Sequence, residues 1–167
     1  MKVYDHSFNL NEWFIILSVL VLFSLLFIVP KIFSTLETIG YSLFGLFIGM
    51  FSDQTLSISP WDFYDVNDSA AYQGIDFLSY VMYCPYSFFF LYIYVKWKIK
   101  GFHTILYIVI WTVVSLLMEW FGTKIGLYHF GKGYSMYWSV PIYLLFQSML
   151  LVYYQLTKPK PMVIDNP

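Results

Sequence analysis

Five long apolar stretches, four of them almost free of charge, fill most of this 167-residue chain, and that pattern restricts it to one kind of fold. A soluble domain gives about a quarter of its residues to charge. Here charged residues are 11% and hydrophobic ones 59%, which leaves too little polar surface to cover such a core. An apolar segment of roughly 20 residues matches the hydrocarbon thickness of a bilayer, where a helix satisfies its own backbone polar groups. The chain is therefore expected to be all-α: one integral membrane domain over residues 1–167, a bundle of five transmembrane helices.

The spans are read as Trp13–Val29, Ile32–Phe51, Asp76–Val95, Phe102–Phe121 and Met136–Tyr154. The first resembles a secretory signal in length. Asp5 and Glu12 make the segment before it acidic, however, and no small-residue cleavage site follows, so it is read as a retained helix. Lysine placement orients the bundle. Lys31, the cluster Lys96, Lys98 and Lys100, and Lys158 with Lys160 fall on one side, while the connection from Ser52 to Ile75 holds four aspartates and no lysine. The positive-inside rule then places the N-terminus outside and the C-terminus in the cytoplasm, with Lys124 and Lys132 as the discordant pair. Lysine without arginine, beside abundant Phe, Tyr and Ile, is a hint of an A+T-rich bacterial source and nothing more; the expected location is a bacterial plasma membrane, crossed several times.

Several chemistries find no support. Without arginine, bidentate phosphate capture is missing and a nucleic-acid partner is not expected. The single cysteine, Cys84, has no disulfide partner, and no Cys/His cluster has metal-ligand spacing. No metal and no cofactor are expected. Membrane lipids are the expected partners, together with a second copy or a protein partner.

An ionisable group inside a span costs about 2.5–3.5 kcal/mol on insertion scales, so such a residue is kept by function or by a buried partner. Glu37, Tyr41, Gly45 and Gly49 recur every four residues and share one helix face, and the Gly45/Gly49 pair allows a second helix to come close. That face is expected to point into the bundle or a dimer, with Glu37 either a structural carboxyl or a ligand- or proton-binding one. In the fourth span Thr104, Ile108, Trp111/Thr112, Ser115 and Glu119 form a second stripe. Lys124 follows Glu119 within reach of an ion pair, and a glycine- and aromatic-rich segment with Tyr128, Tyr137 and Trp138 adjoins them. These residues are candidates for a binding site at the outer mouth; an interfacial salt bridge with aromatic anchors is the competing reading. Asp76 opens the third span as a helix cap or as a site carboxyl. Pro85 should kink that helix. The aspartates between Pro60 and Asp68 are expected to form a solvated face, since the glycine and terminal glutamate of a calcium loop are missing.

The run Met118-Glu119-Trp120-Phe121-Gly122, then Gly126-Leu127-Tyr128 and Tyr137-Trp138-Ser139-Val140-Pro141-Ile142-Tyr143, resembles a family of small integral membrane proteins of unknown function from spore-forming Gram-positive bacteria. The resemblance implies about five spans and a glutamate near the end of the fourth, and it implies no reaction, ligand or catalytic residue.

Three functional classes follow. The first is a noncatalytic bundle that binds a lipid, a small ligand or a partner; it needs no catalytic set, and none of the familiar hydrolase, protease or phosphate-binding motifs is present. The second is a membrane-embedded enzyme acting on a lipid or isoprenoid, with Glu119 and Asp76 as acid and base. The third is a transporter or channel component, disfavoured by the odd span count and the lack of an internal repeat. A cavity in which Glu119 and Asp76 converge would favour the second.

Overall fold

The computed structural model describes residues 3–5, 7–69 and 72–158; His6 and Lys160 lie outside the described residues. Its framework is five helices, each long and apolar enough to cross a membrane: α1 (Leu10–Ile28), α2 (Thr35–Leu56), α3 (Gly74–Lys96), α4 (Phe102–Lys124) and α5 (Met136–Thr157). Two three-residue strands, β1 (Tyr64–Val66) and β2 (Tyr128–Phe130), pair antiparallel across one end of the bundle. That end is called the sheet end below.

Helix starts are set by side chains that satisfy the first backbone N–H groups. Asn9 with Glu12 opens α1, and Ser34 with Glu37 opens α2, each as a reciprocal capping box. Hydropathy alone puts Glu37 well inside a span. The structure instead starts α2 at Thr35, and the Glu37 carboxylate accepts from the Ser34 backbone N–H at 2.8 Å. Its role is to cap its own helix. At the far end of α4, Gly126 adopts φ +81°, and the Leu127 N–H returns to the Gly122 carbonyl at 2.8 Å. This is a Schellman stop, and it sends the chain straight into β2.

The α3 helix is the centre of the bundle, with eleven buried residues between Asp76 and Tyr94, and it continues through Pro85. Helix α2 lies directly against it. A Cβ on Gly45 would stand 2.2 Å from the Tyr83 carbonyl oxygen, and one on Gly49 would stand 2.6 Å from the Tyr83 ring. Ser87 Oγ donates to the Tyr41 carbonyl at 2.7 Å across the same seam. The glycine face is therefore occupied within the chain. By contrast, α3 and α4 meet through large rings: Tyr107 packs near Phe90 and Tyr94, and Tyr86 meets Trp111 edge-on. Backbones touching on one side and rings spacing helices on the other leave room between them.

The acidic connection is not a solvated face. Asp65 and Asn67 are buried, Asp65 accepts the Tyr4 hydroxyl at 2.6 Å, and Asp68 accepts Asn11 Nδ2 at 2.7 Å. The segment before α1 is tied over the sheet by the Tyr4 N–H to Asp68 carbonyl bond and by Tyr4 stacked on His129. Packing by this segment is what the aspartate count alone does not disclose.

Candidate functional site

All five helices and both strands line one cavity of about 240 Å³ at the sheet-end half of the bundle. Most of its wall is apolar. The polar groups on it are few and come from four-residue stripes on different helices.

Glu119 comes from α4 and is 6% exposed. Its Oε1 accepts the Ser139 hydroxyl at 2.6 Å, and Ser139 in turn bonds the Tyr134 hydroxyl at 2.9 Å. The Tyr143 hydroxyl is a second hydrogen-bond partner of the same carboxyl group. Glu119 Oε2 is buried and makes no hydrogen bond. Buried carboxyl oxygens rarely go without a donor, so this atom is the most informative in the site.

Asp53 enters from α2 and accepts the Tyr64 hydroxyl of β1 at 2.8 Å. Between the two carboxyls, Tyr83 of α3 and Tyr128 of β2 share a hydrogen bond of 2.6 Å. Tyr128 reaches there because its ring lies on Gly122, where a Cβ would meet it at 2.8 Å. Burial, with Tyr83 next to it, holds the Tyr128 hydroxyl well above its ordinary pKa. Burial and the Asp53 charge do the same for Tyr64. Both phenols are therefore neutral donors at physiological pH.

Deeper in the bundle a second network is complete. Tyr86 bonds Ser115 at 2.6 Å, Gln147 Nε2 donates to Ser115 at 3.1 Å, and Thr112 donates to Gln147 Oε1 at 3.0 Å. Here every polar partner has its own, which suits a structural clasp between α3, α4 and α5.

The residues expected from the sequence separate into three groups. Glu119 and Tyr128 line the cavity, and so do Gly45 and Gly49. Asp76 lies elsewhere: its two oxygens accept the Gln73 backbone N–H at 2.6 Å and Asn67 Nδ2 at 2.5 Å, which makes it the cap of α3. Glu119 and Asp76 do not share a pocket. Tyr137 and Trp138 are 86% and 63% exposed and face outward. Lys124 does not pair with Glu119; its Nζ lies over the Trp120 ring, 5.9 Å from the centroid. Among the described residues the ion pair present is Lys132 with Asp62 at 3.3 Å.

Sequence reasoning missed Asp53, Tyr83, Tyr134, Ser139, Tyr143 and Gln147. Two signals were available. Asp53 is the next four-residue step after Glu37, Tyr41, Gly45 and Gly49, and Ser139, Tyr143 and Gln147 form a matching polar stripe on α5. Among the described residues five carboxyls sit within the helices, and three of them (Glu12, Glu37 and Asp76) are at the third position, capping. The remaining two, Asp53 and Glu119, both line the cavity.

Comparison with family models, curated proteins and solved structures finds no match for this chain.

Proposed function

We propose that this chain is a multi-pass protein of the bacterial plasma membrane, N-terminus outside and C-terminus cytoplasmic, whose cavity binds a small membrane-borne ligand without chemical turnover. The orientation rests on the lysine distribution, with Lys124 and Lys132 as the discordant pair. The observation that carries the binding role is the unpartnered Glu119 Oε2 on the wall of a cavity built by all five helices. A bundle kept only for packing would fill that space or pair that oxygen.

Access is from the side. Met118 is 47% exposed and also lines the cavity; Ser18 and Leu22 of α1 line it as well. Helices α1 and α4 meet through the Phe14–Phe121 ring pair, centroids 5.4 Å apart. A molecule dissolved in the bilayer would enter between these two helices, beside Met118.

The experiment is native mass spectrometry of the full chain released from mild detergent. Wild type should carry a small-molecule adduct, and the cavity-filling Ile142→Trp should carry none while melting within a few degrees of wild type. Equal spectra from both would overturn the reading.

A second reading, an enzyme on a lipid or isoprenoid substrate, is favoured by Asp53 and Glu119 lining one cavity. It requires Asp53→Asn and Glu119→Gln each to abolish conversion of the co-purifying ligand while leaving its binding in place.

A further inference from the structure

Resting on the binding role proposed above, we infer that the ligand is a protonated amine carried on a short apolar body.

The first ground is charge. Among the described residues, two carboxyls line the cavity and no lysine, arginine or histidine does. The described lysines of the sheet end are committed elsewhere, Lys124 over Trp120 and Lys132 to Asp62. Glu119 therefore has no counter-charge among the described residues. A cation brought beside either carboxyl stabilises its ionised form in a low-dielectric bundle, whereas an anionic ligand gains no such partner.

The second ground is hydrogen bonding. Ser139 serves Oε1 and Tyr143 also bonds to this carboxyl, while Oε2 makes no hydrogen bond of its own and keeps a lone pair open to a donor. A primary ammonium presents three N–H donors. A quaternary ammonium supplies charge but no donor, and an alcohol supplies a donor but no charge.

The third ground is the wall itself. Tyr64, Tyr83, Tyr86, Tyr128, Tyr134 and Tyr143 all face the cavity. Aromatic faces attract cations. Around them Leu22, Ile48, Phe146 and Leu150 offer hydrocarbon contact. The volume of about 240 Å³ falls just below the roughly 300–1,000 Å³ of drug-sized pockets. An amino head with a short chain fills it, and a longer tail would leave beside part-exposed Met118.

The test uses the full chain in detergent and three water-soluble ligands of one length: hexylamine, hexan-1-ol and hexanoate. Binding is read by saturable shifts in melting temperature. Hexylamine should bind about tenfold tighter than hexan-1-ol, and hexanoate should not bind. The preference should disappear in Glu119→Gln and persist in Lys124→Met, since Lys124 lies over the Trp120 ring and does not line the cavity. Should Glu119→Gln fail to fold, Asp53→Asn is the second variant, expected to weaken the amine more than the alcohol. Equal binding of amine and alcohol, unaltered by Glu119→Gln, would leave the cavity reading intact and refute the cationic ligand, as would tighter binding of hexanoate. No binding by any of the three, with Ile142→Trp indistinguishable from wild type, would sink the cavity reading itself.

Discussion

Placing a single methyl group on Gly45, Gly49 and Gly74 in turn measures how closely α2 and α3 must approach. At Gly45 the added carbon would stand 2.2 Å from the Tyr83 carbonyl oxygen and 2.6 Å from Ser87 Oγ. The first of these is backbone, so no rotamer change relieves it and the helices must part. Overpacking of this kind costs about 1–3 kcal/mol. Separation also breaks the Ser87 to Tyr41 bond of 2.7 Å, worth about 1 kcal/mol. Against this, alanine is about 1 kcal/mol better than glycine inside a helix. The net loss is about 2 kcal/mol, or roughly 4–8 °C in melting temperature at 2–4 °C per kcal/mol. Gly49→Ala meets the Tyr83 ring at 2.6 Å, and a ring can swing, so about half that loss is expected. Gly74→Ala meets nothing within 4 Å and should melt no lower than wild type. The assay is tryptophan fluorescence on heating in one detergent, with yield compared across the series. If Gly45→Ala melted with Gly74→Ala, α2 and α3 would not be packed through this seam.

The caps are tested by Ser34→Ala, which removes the α2 box and should lower stability by about 1 kcal/mol, read in the same melts; no change would mean Glu37 acts elsewhere. Orientation is tested in a Cys84→Ala background with an impermeant thiol reagent. A cysteine at exposed Ile58 should be modified on intact cells and one at Lys100 only after lysis; the reverse pattern would invert the topology. The sheet-end closure has a pH signature. Burial, then the hydrogen bond to Asp65, pushes the Tyr4 hydroxyl up to about 12. The unfolded chain releases that proton near pH 10 while the folded one keeps it, so stability present below pH 10 is lost as pH rises toward about 12. The alkaline fall in melting temperature should be shallower for Tyr4→Phe, and an identical slope would refute the contact.

Five helices were legible in the sequence because a hydrophobic run of membrane-spanning length depends only on the run itself. The spans expected at Ile32–Phe51 and Trp13–Val29 became Thr35–Leu56 and Leu10–Ile28, and the offsets are capping effects at residues that hydropathy averages away. The buried acidic connection was not legible: its aspartates are held by Tyr4 and Asn11, more than fifty residues away in the chain.

The choice among the carboxyls lies between these cases, and it shows where the site was hidden. A carboxyl three residues after a polar N-cap has local work to do at the start of its helix. Asn9 precedes Glu12 by three, Ser34 precedes Glu37 and Gln73 precedes Asp76, and each of these carboxyls takes a backbone N–H of its cap residue. Met50 precedes Asp53 by three and Leu116 precedes Glu119. Neither can form such a box, and neither sits at the start of a helix, where the macrodipole would favour its charge. Their burial therefore needs partners from other helices. Those partners are tyrosine and serine hydroxyls from β1 and α5, and at Glu119 Oε2 the chain supplies none. Capping spacing thus accounts for Glu37 and Asp76 and isolates Asp53 and Glu119 by residue order alone. What remains out of reach of the sequence is that the two face the same space, because that depends on rings holding α3 and α4 apart while glycines draw α2 and α3 together.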